Sequence, residues 1–114
     1  MWNIIQDKSF SFAVRVIKLY KYLTSNRSEY VLSKQLLRSW TSVWANVEEA
    51  LWWQSKKDFV NKISIAYKEA RESLYWIKLL RETDYITESE FASLEKDIDE
   101  ILKILSKIKI SSNS

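Results

Sequence analysis

The chain contains no cysteine, no histidine, no glycine and no proline in 114 residues. Without cysteine there is neither a disulfide framework nor a thiolate nucleophile, and without histidine the usual metal ligand and general base are both missing. These absences remove most enzyme templates, and neither a catalytic site, a metal site nor a cofactor is expected. No stretch approaches 18 uncharged apolar residues, and the amino terminus lacks a basic segment followed by a long apolar run. A signal peptide and a membrane span are therefore not expected, and the cytoplasm is the default location. Average usage predicts roughly eight glycines in this length. A chain lacking both turn formers and helix breakers is expected to be helical.

What is present agrees. Apolar residues make up 46% and charged residues 29%, the balance of one globular domain spanning residues 1–114. The periodicity predicts four helices, at about 9–24, 29–51, 55–83 and 87–110. The first carries Phe10, Ala13, Val14, Ile17 and Tyr20 on one face, which is read as its core face. The second carries Leu32, Leu36, Ser39, Val43, Val47 and Ala50, a stripe that is small in its middle. Ser55 and Asp58 form an N-cap for the third, whose stripe is Phe59, Ile63, Ala66, Ala70, Leu74, Ile77 and Leu80. Thr87 and Glu90 form a capping box for the fourth, with Ile86 positioned to staple onto Phe91. Its face, Phe91, Leu94, Ile98, Ile101, Leu105 and Ile108, alternates spacings of three and four. Short connections near 25–28, 52–54 and 84–86 force antiparallel neighbours. The expected fold is all-α, an antiparallel up-down-up-down four-helix bundle.

The segment from Val31 to Ile86, "VLSKQLLRSWTSVWANVEEALWWQSKKDFVNKISIAYKEARESLYWIKLLRETDYI", resembles the four helix bundle proteins, also called 23S rRNA intervening-sequence proteins. Leu32, Gln35, Leu36, Arg38, Ser39, Ser42, Asn46, Glu48, Glu49, Ser55, Lys57, Phe59, Ala66, Glu69, Leu74, Tyr85 and Ile86 sit where that pattern expects them. "KSFSFAVRVIKLYKYL" resembles its first helix, so nearly the whole chain is covered. The resemblance implies a small antiparallel bundle assembling into a ring-like homo-oligomer, commonly a pentamer, with no known enzymatic activity.

The sequence departs from that pattern at Trp40, Trp44, Trp52 and Trp53, each standing where the family has glycine, whereas Trp76 agrees with it. These four are suspected recoded glycines, UGA codons read as tryptophan; the alternative is genuine tryptophans packing between helices or subunits. Indoles inserted into a close helix contact typically cost about 1 to 3 kcal/mol each in overpacking. Trp40 and Trp44 are therefore expected to be pushed outward. Trp52 and Trp53 are expected to need a turn other than the positive-φ turn a glycine pair supplies.

The polar residues divide into three groups. Asp58 with Lys62, Lys68 with Glu72 and Asp99 with Lys103 have the i, i+4 spacing of solvated helix ion pairs. Gln35, Arg38, Ser39, Ser42 and Asn46 form a polar seam whose natural partner is a neighbouring helix or protomer, with a ligand site as the alternative. Finally, residues 8–28 hold Lys8, Arg15, Lys18, Lys21 and Arg27 with no acid, while residues 84–100 hold seven acids against Lys96. One account is a pair of complementary solvated faces. The other makes Arg15, Lys18 and Lys21 a phosphate-binding stripe, repeated around an oligomer, with Tyr20, Tyr22 and Tyr30 near enough to stack on bases. The expected function is a non-enzymatic homo-oligomeric scaffold binding RNA or a ribonucleoprotein. The alternative resembles the accessory proteins of diversity-generating retroelements, which partner a reverse transcriptase.

Overall fold

The computed structural model describes residues 2–52 and 55–113, so Trp53 and Gln54 lie outside the described residues. Four helices follow one another: α1 (Trp2–Asn26), α2 (Leu32–Ala50), α3 (Lys56–Glu82) and α4 (Glu88–Asn113). No strand occurs among the described residues.

The helix ends are set by local chemistry. Thr87 Oγ1 accepts from the Glu90 amide at 3.1 Å and the Glu90 carboxylate accepts from the Thr87 amide at 2.8 Å, the reciprocal capping box. Ser55 Oγ accepts from the Asp58 amide at 3.2 Å. α3 stops at a residue in the left-handed region, Asp84 with φ 64°. That turn lets the amides of Asp84 and Tyr85 return to the carbonyls of Arg81 and Leu80, the Schellman arrangement in which glycine is the usual occupant.

α2 begins later than expected, at Leu32 rather than Glu29. The reason is that Glu29 acts from outside the helix. Its buried carboxylate accepts from the amides of Val31, Leu32 and Ser33 at 2.7 to 2.9 Å, meeting the orphan donors of the first turn and its positive dipole end. Ser28, at φ 53°, supplies the chain reversal just before it.

The helices form a closed cycle of neighbours, α1 against α2, α2 against α3, α3 against α4 and α4 against α1. α1 and α3 lie across one diagonal and α2 and α4 across the other. Partners run in opposite order along neighbouring helices. Gln6 reaches Glu48 while Ser9 meets Trp40, and Glu49 meets Lys62 while Ser39 meets Ser73. The molecule measures 45 × 21 × 19 Å.

The core follows the expected stripes on three helices. Leu36, Val43, Val47 and Ala50 of α2, Ile63, Ala66, Ala70, Ile77 and Leu80 of α3, and Phe91, Leu94, Ile98, Ile101, Leu105 and Ile108 of α4 are buried. Each large aliphatic side chain so buried contributes about 1.5 to 3 kcal/mol.

α1 differs. Its core residues are Ile5, Ser9, Phe12, Val16 and Leu23, whereas Phe10, Val14 and Ile17, expected on the core face, are 56%, 38% and 41% exposed. α1 carries two apolar stripes at helical spacing, and the fold buries the one that meets Trp40.

Trp40 also departs from expectation. It is not pushed outward but completely buried. Its Nε1 donates to the Ser9 carbonyl at 2.9 Å, and its ring lies 4.4 Å from that of Phe12. The small, buried Ser9 opposite leaves room for the indole. Trp44 is half-buried with its ring 6.2 Å from that of Phe10. Trp52 is 79% exposed and leaves the helix without a positive φ.

Candidate interaction surfaces

The charge segregation of the sequence is largely consumed within the bundle. Arg15 of α1 pairs with Asp97 of α4 at 2.6 Å and donates to the Ser93 carbonyl and hydroxyl, while Lys8 pairs with Glu100 at 2.5 Å. Arg27 lies over the Tyr85 ring, 4.9 Å from its centre, and donates to the carbonyls of Asp84 and Tyr85. Arg15, Lys18 and Lys21 therefore do not make one uniform stripe. Arg15 is turned toward α4, and Lys18 and Lys21 are exposed with no ion pair among the described residues. Successive steps of three residues each rotate about 60° around a helix, which separates the first of the three from the last.

Around Lys21 runs the apolar stripe left outside the core. Phe10, Val14 and Ile17 share one outward line with Lys21, and Ile4 and Tyr22, 50% and 44% exposed, lie to one side of it. Trp44 of α2 continues the surface through its contact with Phe10.

The polar seam lies between α2 and α3. Ser39 Oγ and Ser73 Oγ are 2.7 Å apart and fully buried, and each hydroxyl also reaches a carbonyl in its own helix, Leu36 and Glu69. Asn46 donates to the Ser42 carbonyl at 2.8 Å and to the Ser42 hydroxyl at 3.3 Å. Arg38 is exposed; it donates to Gln35 and Glu72 and faces Glu69 at 3.8 Å. The Glu69 Oε2 is shielded and accepts no hydrogen bond, so the nearby guanidinium is what offsets its charge.

Of the three expected i, i+4 ion pairs, Asp99 and Lys103 make none among the described residues, and the other two give way to bridges between helices. Lys62 pairs with Glu49 rather than Asp58, and Glu72 with Arg38 rather than Lys68. A pair that spans two helices fixes their register as well as neutralising charge, which a pair along one helix does not.

Glu29 has a shifted carboxyl. Burial opposes the Glu29 charge, but the amides of Leu32, Ser33 and Val31 and the Ser33 side chain outweigh it. The carboxyl is held below its ordinary value of 4.5. Among the described residues, no group of three or more Asp or Glu is placed to hold a metal ion, and no helix is long and apolar enough to cross a membrane.

A solved structure of a protein with unknown function from the S23 ribosomal protein family of Bacteroides thetaiotaomicron matches the fold with a TM-score of 0.93. The two sequences are 49% identical, over 95% of this chain and 96% of that one. No curated protein matches the chain. A family model described as 23S rRNA-intervening sequence protein matches residues 2–107. With a match over that span, and a bundle of the same shape, the chain belongs to the 23S rRNA-intervening sequence protein family.

Proposed function

We propose that the chain is a non-enzymatic, up-down-up-down helical bundle that self-associates into a scaffold, of the pentameric kind the family resemblance implies, and acts with RNA or a ribonucleoprotein. The observation that carries self-association is the outward stripe of α1. Phe10, Val14 and Ile17 are 56%, 38% and 41% exposed in line, on a helix whose other face is fully used in the core. A continuous apolar line on a surface helix, flanked by charge, is the ordinary mark of a protein–protein contact. The antiparallel order of contacts between neighbouring helices supports the bundle topology. The exposed lysines that make no ion pair support a polyanionic partner.

Self-association is tested by replacing Phe10 and Ile17 with Glu. Both side chains are outside the core, so far-ultraviolet circular dichroism is expected to be unchanged, while light scattering shows the assembly reduced to single chains. A parent chain that is monomeric at micromolar concentration, or a double variant that assembles normally, refutes the role given to α1.

A further inference from the structure

We infer that the outer face of α3, with Tyr75 at its centre, is a surface for single-stranded RNA; this rests on the proposed action with RNA and moves its site away from α1. Lys68, Arg71, Tyr75 and Lys78 follow one another at spacings of three, four and three, which aligns them along one helical line about 15 Å long. All four are exposed, Tyr75 to 54%. An ordinary solvated helix face interleaves acids with its bases at i, i+3 and i+4. Here the acids within reach are already engaged. Glu72, one turn from Lys68, is held by Arg38 and by the Trp76 indole. Glu82, one turn from Lys78, is held by Arg81. Arg71 has no acid three or four residues away on either side. None of the three cations forms an ion pair among the described residues, nor does the exposed Lys34 of α2, one turn before Arg38.

The aromatic ring is positioned as well as exposed. Tyr75 packs edge-on against Trp76 at 4.9 Å, and the Trp76 Nε1 donates to Glu72 at 3.2 Å, which is itself clamped by Arg38. A ring held upright between cations offers bases a face to stack on while the cations meet the phosphates, the combination used for unpaired strands. The sugar-phosphate of a duplex has no free base face to offer. Geometry also leaves this face open. α3 lies diagonally across the bundle from α1, so an assembly joined through α1 presents one such line from every copy, and binding gains from multivalency.

The test is fluorescence-anisotropy binding of a single-stranded RNA oligonucleotide over a range of salt, beside a polyphosphate of similar charge and a poly-glutamate chain. The triple variant Lys68→Gln, Arg71→Gln, Lys78→Gln is expected to flatten the log-log salt slope by about 2, at roughly 0.7 per lost contact. Tyr75→Ala is expected to weaken RNA by about tenfold or more and polyphosphate hardly at all. Both variants alter exposed positions, and scattering confirms that the assembly is intact. If the parent binds RNA while both variants bind equally well, the α3 assignment is overturned and the RNA reading stands. If the parent binds no RNA at low salt, the RNA reading itself falls. If it binds poly-glutamate instead, the face belongs to an acidic protein partner.

Discussion

Replacing Trp40 by Gly tests whether the indole is a structural member of this core or an intruder in it. The side chain is completely buried, tilted against the Phe12 ring and hydrogen-bonded to the Ser9 carbonyl. Truncating such a residue to Ala typically costs about 3 to 5 kcal/mol, through lost transfer energy and the cavity left behind. Going on to Gly in a helix interior adds about 0.5 to 1 kcal/mol. The lost hydrogen bond adds little, because the Ser9 carbonyl lies in mid-helix and keeps its backbone partner. The sum, about 4 to 6 kcal/mol, compares with a total stability of roughly 6 to 17 kcal/mol for a chain of this length. Urea denaturation followed by circular dichroism, at matched protein concentration because assembly contributes, should therefore show the variant mostly unfolded or with a far lower midpoint. Trp52→Gly is the internal control: at 79% exposure on a helix end, it should shift stability by less than about 0.5 kcal/mol. A Trp40→Gly chain as stable as the parent would mean that α1 and α2 close together over the vacated space. Glycine would then be the residue the fold prefers, as the recoding of positions 40, 44, 52 and 53 requires; the codons of the native gene decide the same question at the level of translation.

Two further perturbations act on helix ends. Glu29→Gln should lower stability at neutral pH by about 1 to 3 kcal/mol, since a charged acceptor for three amides is lost. Because the folded-state pKa of Glu29 is depressed below 4.5, its contribution is complete above that pH and disappears as the pH falls through the lower, folded-state value. Acid titration of the unfolding midpoint should show the parent and the variant converging at low pH; a constant gap would rule out the charge as the cause. Asp84→Gly should raise the thermal midpoint modestly, as relief of a left-handed non-glycine residue worth about 1 to 2 kcal/mol is partly offset by a more flexible unfolded chain. A fall in the midpoint would show that the Asp side chain supports the turn.

The core faces of α2, α3 and α4 were legible in the sequence because each carries one apolar stripe, and the starts of α3 and α4 because side chains cap them; α1 begins at Trp2 rather than near residue 9. The core face of α1 is not legible, because Phe10, Val14 and Ile17 and the line of Ile5, Phe12, Val16 and Leu23 are both helical in spacing. Which line is buried depends on the surface it meets, and Ser9, too small to register as core, is what admits Trp40. The start of α2 is not legible, because a glutamate acting as a cap from outside the helix looks in sequence like a first-turn residue. The i, i+4 ion pairs were legible as spacing only. Arg38 and Glu49 found partners across the groove, and that choice depends on helix register. Lys68 lost Glu72 to Arg38 in the same way, while Lys78 lost Glu82 to Arg81 of its own helix.

The cycle of helix neighbours also orders events in time. Contacts between α2 and α3 join residues such as Ser39 and Ser73, 34 apart in the chain, whereas Arg15 and Asp97, which close the cycle, are 82 apart. Loop closure grows costlier with separation, and rates of folding fall as contacts become less local. The hairpins of consecutive helices, which Ser9 and Trp40 join over only 31 residues, are therefore expected to form before the α1–α4 seam, which is made in part of half-exposed ion pairs that salt screens. Ionic strength consequently acts on the rate at which the cycle closes more than on the core it encloses.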